Sequence, residues 1–291
     1  MDPFMKCLNS WLLVLSAAGL AWAELDEASQ SSPTIKPPPA KVQIIAHRGD
    51  NAKAPENTAA ALLAGFASGA DGCQIDFHST KDHRLIVTHD ENTERCTGVN
   101  KLVTQQTFDE LRQLDAGQWG SWRGSLFHDV FPSLEEAFAL VPDGRVLHLR
   151  SYSPAGDLGQ VKEAFTKSGL KPHQAVFFSQ DLEVCKEFKK LLPQCKAHWV
   201  QTYRKHAGGA RMPELAALIR QAKGAGADGL SIACDFPIDK TFAKQVRAGG
   251  LELHVFTVNY VAQARELREA GVDSITTDRL DLLLKKTEPA K

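Results

Sequence analysis

The 291-residue chain lacks any marked charge imbalance: 34 Lys and Arg against 35 Asp and Glu give a formal net charge of −1. Its basic residues are scattered, so neither a nucleic-acid surface nor an anionic-membrane surface is expected. Cysteine is sparse, and Cys7, Cys73, Cys96, Cys185, Cys195 and Cys234 include no Cys-x-x-Cys pair. Loss of Cys7 with an export signal would leave an odd number, so a disulfide framework is not indicated. Buried thiols are the favoured reading, with a single Cys185–Cys195 bridge as the alternative. Long hydrophobic runs are also missing. The apolar stretch from Trp11 to Leu20 falls short of the roughly 20 residues that span a bilayer, so no permanent membrane anchor is expected. No Gly-rich dinucleotide fingerprint follows the first predicted strand, which argues against a doubly wound nucleotide-binding sheet.

What is present begins with an export pattern. Lys6 precedes the apolar stretch, and Ala21-Trp22-Ala23 ahead of Glu24 is a small-x-small cleavage site. Residues 1–23 therefore read as a signal peptide, and the protein as exported to a periplasm or secreted. No cysteine follows that site, so a lipoprotein anchor is not expected. Residues 24–41, with Ser29 to Ser32 and Pro37 to Pro39, read as a Pro/Ser-rich linker. Residues 42–288 form the remaining domain, large enough for one substantial core.

In that domain short apolar runs alternate with helical patterns. Strands are predicted over 42–47, 72–78, 145–150, 175–179, 197–201, 229–232, 252–259 and 274–277. Helices are predicted over 57–68, 134–141, 157–168, 182–192, 213–225, 239–248, 261–270 and 280–286, several of them ending at a glycine such as Gly169, Gly249-Gly250 or Gly271. This alternation predicts an α/β fold, a (β/α)8 TIM barrel, with an insertion after the second strand spanning residues 79–132. Within the insertion, 85–89 reads as a further strand.

The first barrel strand runs Ile44-Ile45-Ala46 into His47-Arg48-Gly49, delivering an imidazole and a guanidinium to one rim. Residues two apart on a strand face the same way. With Cys73, Ile75 and Phe77 toward the helices, Gln74, Asp76 and His78 point inward. With Leu147 and Leu149 outward, His148 and Arg150 point inward. Polar side chains at the ends of successive barrel strands are where barrel sites are built.

Taken together, His47-Arg48-Gly49, Pro55-Glu56-Asn57-Thr58, Gly69-Ala70-Asp71-Gly72, Asp76, Thr80 and Val87-Thr88-His89-Asp90 resemble the glycerophosphodiester phosphodiesterase family. Arg95, Leu114-Asp115-Ala116-Gly117, Pro132-Ser133-Leu134-Glu135-Glu136, Phe256-Thr257-Val258-Asn259 and the run from Gly271 to Arg279 continue the pattern in order. The resemblance covers residues 42–286. It implies a TIM barrel that hydrolyses small-molecule glycerophosphodiesters with a divalent cation, Mg²⁺ or Ca²⁺. It also implies that His47 and His89 act as general acid and base, a task suited to imidazole with its pKa near 6.5. Arg48 and Arg150 are candidates for the phosphoryl oxygens, with Glu56, Asn57 and Phe256 completing the substrate side. Glu56 has a second reading, as the partner that orients Arg48, and Asn57 as the N-cap of the following helix.

The departures fall on the metal ligands. Where the family has Glu-x-Asp and Glu-x-Lys, this chain has Gln74-x-Asp76 and His148-x-Arg150. Asp76, Gln74 and His148 are the candidate metal set, with His78 and His83 nearby in sequence. Hard Mg²⁺ or Ca²⁺ prefers several charged oxygens, whereas Zn²⁺ or Mn²⁺ accepts imidazole; use of no metal is the third alternative. Phe178-Ser179 and Phe256 stand where the family has Ser-Phe and Trp. The expected function is an exported phosphoric diester hydrolase with an altered metal site. The alternative is a weak or inactive relative that binds a phosphodiester or polyol, and a scaffold barrel is the third reading. The sequence sets no oligomeric state.

Overall fold

Runs such as Ala175–Ser179 are too short to bury a helix face but long enough to cross a sheet, and all five residues are buried. The computed structural model describes residues 41–126, 128–202 and 213–285. The predicted export signal and all but the last residue of the linker lie outside the described residues. Eight parallel strands form the barrel: β1 (Gln43–Ala46), β2 (Gly72–Ser79), β4 (Val146–Ser151), β5 (Ala175–Ser179), β6 (Lys196–Gln201), β7 (Gly229–Ala233), β8 (Glu252–Phe256) and β9 (Ser274–Thr277). They pair in the order β1-β9-β8-β7-β6-β5-β4-β2, and β1–β2 pairing closes the ring. The chain is thus the (β/α)8 barrel its alternation predicts.

The helices that follow these strands are α1 (Ala59–Ala67), α4 (Leu134–Ala139), α5 (Gly159–Ser168), α6 (Leu182–Leu191), α7 (Leu215–Gly224), α8 (Lys240–Ala248), α9 (Val261–Ala270) and α10 (Leu280–Lys285). Their ends obey local chemistry. Ser133 and Glu136 form a reciprocal capping box on α4, and the Asp181 and Asp239 side chains cap α6 and α8. Gly169 and Gly271 take the left-handed C-cap conformation; at α8 the cap Gly249 is right-handed, and Gly250 carries the positive φ.

Many boundaries shift by one or two residues from the sequence expectation, and two of the differences lie beside the site. The first helix starts at Ala59, not residue 57, because Thr58 accepts the Ala61 N–H as N-cap; Asn57 is left-handed, with φ of 57°, and does other work. The eighth strand stops at Phe256, leaving Asn259 free to turn its side chain toward the ninth.

The insertion has a structural cause. β2 outruns β1: Gly72 and Cys73 pair with β1, while Phe77, His78 and Ser79 pair antiparallel with β3 (Leu85–Val87). This edge strand launches a satellite unit containing α2 (Glu94–Thr97) and α3 (Phe108–Leu111). The unit has its own small core, which includes Ile86, Val103, Phe108, Leu111 and Phe131.

Cys73, Ile75, Phe77, Leu147 and Leu149 do face the helix layer, in the main core, so Gln74, Asp76, His148 and Arg150 turn inward as alternation requires. Cys73, Cys96, Cys185 and Cys195 are buried free thiols, and Cys234 is half-buried and free. Inside the barrel Val176, Phe178, Val200 and Phe256 form an apolar plug, and three imidazoles pack on it. The His148 ring lies 4.6 Å from Phe178 and 5.1 Å from His254, and His198 lies 5.0 Å from Phe178. His254 is satisfied by the hydroxyls of Ser274 and Thr276 at 2.5 and 3.0 Å. His198 Nε2 sits 3.3 Å from Glu252 without hydrogen-bond alignment.

Burial, reinforced by neighbouring histidines, holds His254 well below the usual imidazole range and His148 at about 3. Both therefore bind a proton less readily folded than unfolded, where the pKa is about 6.5. Their contribution to stability is constant above that pH and is lost as the pH falls below it. The melting temperature should accordingly drop steadily from pH 6.5 to 4.5. A His148→Phe variant should show a shallower slope, by up to about 1.4 kcal/mol per pH unit. Identical slopes in the two proteins would mean that His148 takes up its proton normally inside the barrel.

Candidate active site

The site is built around a carboxylate with no water access. Asp76 is 0% exposed, a position tolerable only with full hydrogen bonding. Asn57 supplies two contacts: its Nδ2 donates to Asp76 Oδ2 at 3.1 Å, and its Oδ1 accepts the Asp76 backbone N–H at 3.0 Å. Gln74 Nε2 donates to Asp76 Oδ1 at 3.1 Å. Arg48 Nε lies 3.3 Å from Oδ2, an ion pair that lacks hydrogen-bond alignment. Burial opposes ionisation of Asp76, but the charges of Arg48, His89, His47 and Arg150 overcome it and lower its pKa. Both candidate catalytic histidines and both candidate anion-binding arginines therefore act electrostatically on this carboxylate, Arg48 as its direct ion-pair partner.

The turn after β1 is shaped to permit this. Arg48 has φ of 58° and Gly49 of 79°. A Cβ at Gly49 would lie 2.4 Å from the Ala61 carbonyl carbon, so only glycine lets the loop rest against α1. Glu56 orients Arg48, accepting its Nη1 at 2.7 Å, and also accepts Arg95 Nη2 at 2.5 Å. The capping role considered for Asn57 belongs to Thr58, and Asn57 instead bridges the loop to β2.

Each histidine is held by a carboxylate. His47 Nδ1 donates to Asp278 Oδ1 at 2.6 Å, and Asn51 and Asn259 donate to the same carboxylate at 2.7 and 2.8 Å. His89 Nδ1 donates to Asp90 Oδ1 at 2.7 Å, and Asp90 is held by Arg95 Nε at 2.5 Å. Both carboxylates resist burial's upward pull and have pKa values well below the usual range, through hydrogen bonds led by their own histidine. They stay ionised and can only accept, so Nδ1 carries the hydrogen in each ring and Nε2 is the atom left to exchange protons. His78 Nε2 donates to the His89 carbonyl at 2.8 Å, fixing the end of the β3 edge against β2.

The opposite wall is aromatic. The Arg150 guanidinium lies 5.3 Å from the Tyr152 ring centre and 5.1 Å from that of Phe256. Tyr152 also stacks on His78 at 4.8 Å and meets His89 edge-on at 5.5 Å. Cavities of about 530 and 330 Å³ open on its two sides, the first beside His89, Asp90 and Arg95, the second beside Ser151 and Ser179.

The candidate metal ligands do not assemble as expected. Among the described residues no group of three His, Cys, Asp or Glu side chains is arranged to hold an ion. Gln74 turns its NH₂, not its carbonyl oxygen, toward Asp76. Asn57 and Arg48 occupy the other oxygen. His148 is neutral, 3% exposed and packed among rings, with Nδ1 unpartnered. His78 is committed to the His89 carbonyl, and His83 is 81% exposed beside Asp157. A hard cation needs several free anionic oxygens, and this donor set does not provide them.

Sequence reasoning singled out His47, Arg48, Glu56, Asn57, Gln74, Asp76, His89, His148, Arg150 and Phe256; the structure joins Arg48, Glu56, Asn57, Gln74 and Asp76 through hydrogen bonds and ion pairs, sets Phe256 against Arg150, and leaves His148 in the aromatic packing. Sequence reasoning gave no role to Asp278, Asp90, Arg95, Asn259 or Tyr152. Position just past a strand end was the available signal for Asp278 and Tyr152.

Residues 47–282 match the Glycerophosphoryl diester phosphodiesterase family. A glycerophosphodiester phosphodiesterase of Bacillus altitudinis is 30% identical over 259 residues, covering 86% of this chain and 99% of that protein. One from Bacillus subtilis is 26% identical over 296 residues, covering 94% and 96%. Among solved structures, a phosphodiesterase of Oleispira antarctica in complex with the product sn-glycerol-3-phosphate is 25% identical. It superposes with a TM-score of 0.70 over 84% of this chain and 95% of that one.

The Asn57 bridge is open to test. Asn57→Ala removes both contacts to Asp76, a loss of about 2–4 kcal/mol, and forces alanine into a left-handed backbone at a further ~1 kcal/mol. Asn57→Gly loses the contacts without that strain and should be about 1 kcal/mol the more stable of the two in urea unfolding. An alanine variant as stable as the parent would remove Asn57 from the support of Asp76.

Proposed function

The chain belongs to the glycerophosphoryl diester phosphodiesterase family, and we propose that it hydrolyses glycerophosphodiesters in the rim cleft, with His47 and His89 carrying the protons. The observation that supports this reading most directly is the pair of carboxylate-held imidazoles, His47 on Asp278 and His89 on Asp90, beside one arginine-lined floor. In the step we infer, a water or hydroxyl oxygen attacks phosphorus while one Nε2 takes its proton. The bond to the leaving alcohol breaks as the other imidazolium gives its proton to that oxygen. With water as nucleophile the products are a phosphomonoester and a free alcohol, and no proton is left over. The carboxylates steady each imidazolium as it forms and keep the rings in the working tautomer. The cavities flanking Tyr152 leave room for the two alcohol arms of a diester. sn-Glycerol 3-phosphate, the product held by the Oleispira relative, is the monoester we expect here.

The reading of a weak or inactive relative draws on the loss of carboxylates at positions 74 and 148. The intact acid/base pairs favour the enzyme. Export is part of the same proposal, supported by Lys6, the apolar stretch and Ala21-Trp22-Ala23.

On glycerophosphocholine, His47→Ala and His89→Ala should each lower kcat by roughly 10²–10⁴-fold, with circular dichroism unchanged. Turnover that survives both substitutions would refute the acid/base assignment. Mass spectrometry of the exported protein should find a chain starting at Glu24; a protein found only in the cytoplasm with residues 1–23 intact would refute export.

A further inference from the structure

We propose that this site holds a phosphoryl group through the guanidinium groups of Arg48 and Arg150 in place of a divalent cation, and so takes phosphate mono- and diesters without metal. The inference rests on the phosphodiesterase reading and adds how the anion is held. Three observations carry it.

The first is the state of Asp76. Its two oxygens already receive Gln74 and Asn57 and face Arg48. A cation could bind only after the amide turned over and the like charge of Arg48 withdrew. Such a displacement would strip a buried carboxylate of its own support.

The second is the register of the replaced positions. Gln74 pairs with His148 and Asp76 with Arg150 across β2 and β4. The side chains at 74 and 148 carry no carboxylate, while Arg150 keeps the positive charge of the family's lysine directly opposite the one remaining carboxylate of the floor. Two guanidiniums near that point repel a dication and attract an oxyanion.

The third is the state of Arg150 itself. Among the described residues no carboxylate forms an ion pair with it. It is half-buried against the faces of Tyr152 and Phe256. One N–H reaches the Tyr152 hydroxyl, and the guanidinium's five donors still leave an edge for an anion. That edge matches two oxygens of a phosphate. Arg48, by contrast, is anchored by Glu56 through Nη1, and its Nε is a buried donor without a hydrogen bond. One guanidinium anchored by Glu56 and one with no carboxylate partner among the described residues would supply the charge compensation a metal otherwise gives to phosphoryl oxygens.

The test uses the mature protein passed over chelating resin, with metal content checked by mass spectrometry. Binding of sn-glycerol 3-phosphate and inorganic phosphate is measured by calorimetry, and turnover of glycerophosphocholine is followed in parallel, all in EDTA. We expect phosphate-ester binding and turnover in EDTA, changed less than twofold by added Mg²⁺, Ca²⁺, Mn²⁺ or Zn²⁺. Arg150→Met should weaken glycerol 3-phosphate binding at least tenfold while melting normally, and Arg150→Lys should restore part of it. The triple variant Gln74→Glu, His148→Glu, Arg150→Lys should gain Ca²⁺ binding and become EDTA-sensitive. Binding and turnover that appear only with an added cation would overturn the inference and leave the hydrolase standing. Metal-free binding without turnover would uphold the inference and remove the hydrolase. Neither binding nor turnover under any condition would overturn both.

Discussion

The buried carboxylate of Asp76 is the constraint on which the rim depends. A charge with no exposed surface is stable only if it is paired and hydrogen-bonded, and its partners come from the connection between β1 and α1 and from its own strand. Arg48 arrives from the turn after β1, Asn57 from the loop before α1, and Gln74 from the same strand. Arg48 and Asn57 both adopt left-handed backbone to reach it. The local cost of two such residues is offset by the solvation they provide. Because the turn is shaped to satisfy Asp76, the direction in which His47 leaves the sheet is set at the same time.

From that carboxylate an alternating chain of charges runs outward: Asp76 to Arg48, Arg48 to Glu56, Glu56 to Arg95, Arg95 to Asp90, and Asp90 to His89. The first four links are ion pairs at least partly sheltered from water, where screening is weaker than at the surface, and the last is the hydrogen bond that Asp90 accepts from His89. The chain couples the barrel floor to the satellite unit that carries His89, whose other support is the β2–β3 edge pairing. His47 reaches the same local chemistry by a different route. Its carboxylate, Asp278, is held by the neutral amides of Asn51 and Asn259. The two imidazoles therefore share a tautomer but sit in different electrostatic surroundings, one tied to arginines and one to amides. That asymmetry suits a pair of groups that must exchange protons in opposite directions.

Below the floor the barrel is filled by aromatic rings and imidazoles rather than by aliphatic layers alone. His254 is fully satisfied by Ser274 and Thr276. His148 instead lies among rings, and His198 leans toward Glu252. Neutral imidazole packs like a small aromatic ring, so His148 and His254, whose burial disfavours the charged form, add shape without adding charge. At position 148 this has a consequence for the site: an inward side chain of β4 is spent on packing.

The sequence by itself determined the barrel. Strands 175–179 and 274–277 and helix 261–270 keep their predicted bounds, because period-two and helical patterns are written in neighbouring residues and need no distant partner. It also determined the inward set on β2 and β4, since alternation along a strand dictates facing. What only the tertiary structure decided is partnership. That Asn57 leaves the helix cap to Thr58 and bridges to β2 depends on Asp76 being buried at the far end of another strand. That Asp278 holds His47 depends on closure of the ring between β1 and β9, a contact 231 residues apart in sequence. That Gln74 spends its amide on Asp76, and so removes a carboxylate oxygen from any cation, follows from which donors reach a desolvated charge in three dimensions. No local pattern encodes that competition.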